Sequence, residues 1–442
     1  MAILKKLAAL VLASTVAARQ CSNFLIPVQI SSRQGQFREV PVESNLDTGA
    51  FAIKFSEFGK NYSQTLLEGY QTLRGCYNIS AQYCRPDSGS SGTIQVLTHG
   101  IGFDKTYWDL DYNNYNYSYV NTALAAGYST LAIDRLGIGN SSHGNPFNEI
   151  QAQAEVEALN SVTLQLRRGE IPHIGAAYEK VIHVGHSFGA VQSYWLSALY
   201  PDNTDGVVLT GYSGAGQFLP YIVAGWNLHS ARLNQPLRFG NASNEGVRKL
   251  ATQYKVDRDI VSGLQTILDA AGVDLESQEI WDIVATTEVL DLITGYNKSV
   301  TPLNYPSGYM ASSDLTALQY AFLYPGNYDV GLALAGEQTK QPVTTGELLT
   351  IGSAPGKSPF TGPAFVITGE HDIPFCGGNC LAQLPGSNAS NILAGVKAAF
   401  PSASAFDAYV QPGAGHGLNF HYNATAGYQV IQDWLAANGL RA

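Results

Sequence analysis

Apolar positions along this chain follow two different periods. Short runs such as Thr93-Ile94-Gln95-Val96-Leu97-Thr98, Val181-Ile182-His183-Val184, Val207-Val208-Leu209-Thr210 and Val366-Ile367-Thr368 have the length and β-branched content of buried strands. Elsewhere the spacing changes to three and four residues. Ala190, Val191, Tyr194, Ala198 and Leu199 then share one helix face, and Gln429 to Ala442 is amphipathic. Strands that read as buried on both sides, alternating with helices, predict an α/β chain with a mostly parallel central sheet.

The turns that end these strands carry the candidate chemistry. In Val181-Ile182-His183-Val184-Gly185-His186-Ser187-Phe188-Gly189-Ala190 a strand runs into a helix through G-x-S-x-G. A turn that tight forces Ser187 into a strained backbone, tolerable only where Gly185 and Gly189 leave room, and it lifts the hydroxyl off the sheet. Three other strands end in partners for a nucleophile. One is followed by His99-Gly100-Ile101-Gly102, one runs into Gly369-Glu370-His371-Asp372, and Tyr409-Val410-Gln411 leads through Pro412-Gly413-Ala414-Gly415 to His416.

The order Ser, Asp, His along these turns resembles that of an α/β-hydrolase-fold serine esterase or lipase, with the N-terminus and loops of a secreted fungal member. The likeness covers about residues 90–214 and 360–440. It implies Ser187 as nucleophile, His416 as the base that takes its proton, and Asp372 as the acid that orients the imidazole. It also implies an oxyanion hole made by the backbone N–H groups of Phe188 and Ile101. The turn Ile133-Asp134-Arg135-Leu136-Gly137-Ile138-Gly139-Asn140-Ser141 would shape the pocket floor.

Each role has a rival among the residues. Glu370 competes with Asp372 for the acid, and the family's spacing from Gly369 favours Asp372. His143, His173, His183, His186 and His229 have no partner that spacing supplies and read as structural or surface groups. His416, on a glycine-rich loop, reads as an exposed ring. His371, Asp372 and His416 could meet at a metal, but there is no H-E-x-x-H or Cys/His cluster, and no cofactor fingerprint is found.

The chain ends and the composition address compartment and partners. Lys5 and Lys6, the apolar run Leu7 to Val16 and the small residues Ala17 and Ala18 read as a secretory signal over 1–18, too short to span a bilayer. Eight N-x-S/T sites, at Asn61, Asn78, Asn116, Asn140, Asn241, Asn297, Asn388 and Asn423, fit a glycosylated extracellular chain, with Asn140 expected to be bare. Of the five cysteines, the local pairs Cys76 with Cys84 and Cys376 with Cys380 are the natural disulfides, leaving Cys21, which could take Cys76 instead. The formal net charge of −10, without a basic stripe, argues against a nucleic-acid partner, and the C-terminus offers no lipid-anchor tail. With 14% charged and 11% aromatic residues, recognition of a small-molecule ester or lactone should rest on apolar contact.

Length asks for more than one layer of organisation. Removal of the leader leaves about 424 residues, more than the roughly 250–300 one core organises. The surplus falls in a gap of roughly 145 residues after strand six, longer than a crossover requires. The expected division is therefore a signal over 1–18, a hydrolase core over 19–214, a largely helical cap over 215–360, and the rest of the core over 361–442. Within the cap Glu245 to Lys255, Asp257 to Ala271 and Ser313 to Phe322 read as helices. Its Phe218, Tyr221, Trp226, Tyr309, Met310, Tyr320, Phe322 and Tyr324 either line an apolar pocket or form the cap's own core. Residues 22 to about 75 read as an N-terminal β extension with a helix around Tyr62 to Tyr70. A serine at 187 implies an acyl-enzyme, hence an esterase or lipase; a lactonase, an acyltransferase and a non-catalytic binder on the same fold are the alternatives.

Overall fold

The computed structural model describes residues 19–87, 89, 91–235, 238–240 and 303–442. The leader-like segment 1–18 and the helices expected at Glu245 to Lys255 and Asp257 to Ala271 lie outside the described residues.

Eight strands form the central sheet: β1 (Arg19–Phe37), β2 (Leu67–Pro86), β3 (Thr93–Thr98), β4 (Ser129–Ile133), β5 (Lys180–His186), β6 (Gly206–Thr210), β10 (Ala364–Gly369) and β11 (Phe406–Gln411). Their order is β1-β2-β4-β3-β5-β6-β10-β11. All pairings from β4 to β11 are parallel, while β1 with β2 and β2 with β4 are antiparallel. The inner strands β3, β4, β6 and β10 are buried at every position, as unbroken apolar runs require when helices cover both faces. Parallel pairing has one decisive consequence. Thr98 sits opposite Gly185, His186 opposite Thr210, and Gly369 opposite Gln411, so the turns after β3, β5, β6, β10 and β11 emerge along one edge.

The N-terminal extension is a long two-stranded ribbon. Phe24, Ile26, Val28 and Ile30 alternate with exposed residues along β1 and bury one face, against which the helix Ala152–Arg168 packs. Its register corrects the expected cysteine pairing. Cys21 lies opposite Cys84 and is bonded to it, whereas Cys76 lies opposite Gln29 and is free and exposed. Cys76 and Cys84 occupy one extended strand eight residues apart, about 26 Å at the usual rise, and cannot meet. The second expected bond, Cys376 to Cys380, is present. The helix expected around Tyr62 to Tyr70 stops at Leu66, because β2 begins at Leu67. An unforeseen helix, Asn45–Phe55, starts at a Ser44/Asp47 capping box.

Between β6 and β10 the described chain leaves the sheet and forms the helices Leu219–Trp226, Ala231–Asn234, Leu315–Phe322, Val330–Thr339 and Thr345–Thr350. The helix expected from Ser313 to Phe322 is there, started by the Asp314 carboxylate, which accepts from Thr316 N at 2.8 Å. A small antiparallel sheet of β7 (His229–Ser230), β8 (Tyr309–Ala311) and β9 (Val343–Thr344) accompanies these helices, and its Tyr309 and Met310 are buried in the one core they share with the central sheet. Among the described residues no helix is long and apolar enough to cross a membrane.

The ribbon disulfide closes a loop of 63 residues. Cys21→Ser should therefore destabilise the chain by about 2–4 kcal/mol, while Cys76→Ser should leave its melting temperature unchanged. A non-reducing peptide map linking Cys76 to Cys84 would overturn the register.

Candidate active site

Ser187 sits in the turn between β5 and the helix Phe188–Leu199, with φ 55° and ψ −117°, a conformation L residues rarely adopt. Crowding enforces it. A Cβ on Gly185 would lie 2.2 Å from the carbonyl oxygen of Gly189, and one on Gly189 would lie 2.2 Å from that of Thr98. Strand β3, the turn and the helix thus meet backbone to backbone, and the Ser187 N–H is tied to Thr210 O at 2.9 Å. Phe188 opens the helix, so its N–H has no partner within the helix and lies at the positive end of the dipole.

Asp372 and His416 are brought together. The imidazole Nδ1 lies 2.7 Å from Asp372 Oδ2, which also accepts from the Thr368 hydroxyl at 2.5 Å. The other carboxylate oxygen accepts from Phe375 N at 2.8 Å. Glu370 has a different task, accepting from Gly413 N at 3.1 Å within the loop that leads to His416. The expectation of an exposed His416 is corrected. Its ring is 1% exposed, because those of His186, Phe322 and Phe375 enclose it at 4.8, 5.5 and 5.6 Å between centroids. His186 immediately precedes Ser187, so the His416 ring stands beside the serine turn. His371 stacks on Tyr324 at 3.6 Å.

The turn after β3 is fixed by His99. Its Nδ1–H donates to Gly100 O at 2.8 Å, and its Nε2 accepts from Arg135 N at 3.0 Å. A trans peptide points its N–H opposite to its C=O, so the grip on Gly100 O also sets the direction of the Ile101 N–H. Gly100 packs against the serine turn, where an added Cβ would lie 2.7 Å from Ser187 Cβ. Beneath lies a buried ion cluster that the sequence did not reveal. The Arg135 guanidinium bonds Glu155 at 2.7 Å and Glu347, and sits 4.9 Å above the Phe188 ring. Burial pushes the Glu155 carboxyl well above the usual range against the pull of Arg135, and the neighbouring Glu347 adds to the rise. A proton on Glu155 brings the cluster of one cation and two carboxylates to neutrality.

A second unforeseen group holds the insertion to the His416 loop. His421 Nε2 accepts from both Gly415 N at 2.9 Å and Tyr324 N at 3.0 Å, while its Nδ1–H donates to Gly417 O at 2.9 Å. Gly417 N donates in turn to Phe322 O at 2.8 Å. Of the aromatic residues singled out in the insertion, Phe322 faces His416 and Trp226 lies 6.2 Å from Phe322. Tyr320 and Tyr221 are instead largely exposed. Asn140, in the turn after β4, is also exposed.

The model of the alpha/beta hydrolase family matches residues 95–427. Similar solved structures include a thermophilic esterase from Thermogutta terrifontis, 13% identical over 83% of this chain and 96% of that one, with a TM-score of 0.41. An alpha/beta hydrolase fold protein from Chitinophaga pinensis is 13% identical over 81% and 94%, TM-score 0.42. Epoxide hydrolase I of potato, Solanum tuberosum, is 17% identical over 82% and 96%, TM-score 0.42. No curated protein matches the chain.

The buried histidines fix an acid limit on stability. Burial lowers His421 to about 4 and His183, held between Thr163 and Thr204, to about 3; His99 and His186 fall well below the usual value for the same reason. All four are neutral in the fold, whereas in the unfolded chain they take up protons near pH 6.5. The unfolded state therefore binds more protons below that pH, so this stability is complete above about pH 6.5 and is lost as pH falls toward 4. Thermal melts from pH 7 to pH 4 should show a steep fall in melting temperature; a flat profile down to pH 5 contradicts the neutral assignment.

Proposed function

Because the chain belongs to the alpha/beta hydrolase family, we propose that it is a serine hydrolase that cleaves a carboxylic ester through an acyl-enzyme on Ser187. The observation that carries this reading is the Asp372–His416 pair, 2.7 Å apart, standing beside a serine turn with the backbone of an activated nucleophile. Relatives of this fold that open epoxides or remove halide need a carboxylate nucleophile, and position 187 is serine.

In the proposed cycle His416 Nε2 takes the Ser187 proton as Oγ attacks the ester carbonyl. Asp372, its own oxygens held by Thr368 and Phe375, accepts the Nδ1–H and keeps Nε2 free to act as base. The N–H groups of Phe188 and Ile101 receive the developing oxyanion, the first by its place at a helix start and the second by the His99 grip on its peptide. His416 then returns the proton to the departing alcohol, and water attacks the acyl-enzyme by the same route in reverse. The rings of Phe322 and Phe375 against His416 support an apolar or aromatic substrate. Two disulfides support a secreted protein matured in an oxidising compartment, consistent with the leader-like 1–18.

Ser187→Ala should abolish labelling by an organophosphonate and lower kcat on a p-nitrophenyl ester by roughly three to six orders of magnitude. Labelling that persists in this variant overturns the nucleophile. Asp372→Asn should cost about 10⁴-fold in kcat, far more than Glu370→Gln, whose carboxylate only braces the Gly413 backbone. The opposite ranking would move the acid to Glu370.

A further inference from the structure

The Asp372 carboxylate is wholly buried, so the donors around it decide how strongly it can hold a protonated imidazole. Three donors reach it. Phe375 N–H donates to Oδ1 at 2.8 Å, whereas Oδ2 receives both His416 Nδ1–H at 2.7 Å and the Thr368 hydroxyl at 2.5 Å. One oxygen thus serves the base and a second donor together. Thr368 is itself wholly buried, in β10 beside Val410 of β11. Its strand ends at Gly369, where an added Cβ would lie 2.2 Å from Gly415 O, so the strand end and the His416 loop meet backbone to backbone. Asp372 N then donates to Gly369 O at 3.2 Å, and this turn brings the carboxylate back over Thr368.

Asp372 carries the charge among the described residues packed on His416. From the serine turn the ring meets His186, which burial holds well below the usual value and therefore neutral. Tyr107, stacked on His186 at 4.4 Å, is a phenol that burial pushes up. Phe322 comes from the insertion and Phe375 from the acid loop, while a Cβ on Gly211 after β6 would lie 2.9 Å from His416 Cε1. On the acid loop Glu370 is turned to Gly413 N and His371 to the Tyr324 ring, and on the base's own loop His421 is neutral. The Asp372 oxygen that Thr368 touches is therefore the main electrostatic partner of the base.

We propose that Thr368 is a positioning residue for the base: its hydroxyl fixes Asp372 Oδ2 toward His416 and tempers the hold of that oxygen on the protonated ring. This role rests on the ester hydrolysis proposed above. The positive end of the O–H dipole points at Oδ2, close to Nδ1, and so opposes the charge that the ring gains on protonation. In acylation the bond from Ser187 Oγ to the acyl carbon forms as the serine proton moves to His416 Nε2. The bond from that carbon to the alkoxy oxygen then breaks as the same proton moves to the departing oxygen. A carboxylate without the second donor would grip the imidazolium more firmly and hinder this release.

Thr368→Val keeps the shape and loses the donor, whereas Thr368→Ser keeps the donor. In Thr368→Val the ring should stay protonated to higher pH, so the acid limb of kcat/KM for a p-nitrophenyl ester should move up by about half a unit to one unit. Thr368→Ser should leave it in place. Above both limbs, Thr368→Val should lower kcat/KM for an ethyl ester about 3- to 10-fold more than for the p-nitrophenyl ester of the same acid, because nitrophenolate leaves without a proton. A limb that does not move in Thr368→Val, an equal movement in Thr368→Ser, or an unchanged ratio of the two esters overturns the proposal; a merely structural threonine would move neither. The wild type supplies a measurement that needs neither variant nor turnover. The Thr368 hydroxyl proton and the His416 Nδ1–H, both directed at one oxygen, should lie within about 4 Å and give an NMR cross-peak in the free chain at low temperature. Its absence overturns the shared acceptor even if Thr368→Val does not fold. That result is distinct from failure of the hydrolase reading, which phosphonate labelling of Ser187 tests.

Discussion

Everything at the candidate site depends on how closely three pieces of backbone approach one another. Strand β3, the turn at Ser187 and the first residues of the following helix touch main chain to main chain at Gly185 and Gly189, where any side chain would overlap a carbonyl oxygen. That contact holds Ser187 in its strained conformation, because relaxing the turn would push β5 or the helix away from the buried centre of the sheet. The strain of about 1–3 kcal/mol is small beside the apolar area buried by the strands on either side. The strain at Ser187 is therefore held by the most completely buried layer of the molecule, the strands beside it.

A second principle is the use of neutral imidazoles as braces. His99, His183, His186 and His421 are all buried and bonded to backbone or hydroxyl groups. A neutral ring donates at one nitrogen and accepts at the other, so a single side chain can join two loops that share no sequence neighbourhood. A lysine or a carboxylate in these places would bring a charge into the interior. The buried Arg135 shows the alternative, since its charge needs two glutamates drawn from distant helices.

The legible parts of this molecule were those in which a local requirement shows in adjacent residues. The serine turn, the unbroken strand runs and the helix before Phe322 could be read because glycine spacing and apolar period act within a few positions. Cys21 with Cys84 could not, because a disulfide between neighbouring strands depends on a register set by the whole ribbon. His416 was misread as exposed for a similar reason. The rings that bury it, Phe322 and Phe375, belong to an inserted helix and to the acid loop, far away in the chain. His421 and Glu347 gave no sign of their roles, since each acts on a segment that only folding brings near. Glu347 also closes the capping box of its own helix, begun at Thr344.

The bonds around His421 have a mechanical meaning. One imidazole receives the N–H of Tyr324, just past the helix Leu315–Phe322, and the N–H of Gly415, just before His416, while Phe322 O is tied to Gly417 N. The end of that helix and the loop that carries His416 are thus tied together. Any displacement of this part of the insertion drags His416 with it and stretches the 2.7 Å contact with Asp372. Displacement on that side and an intact Asp372–His416 contact therefore exclude one another.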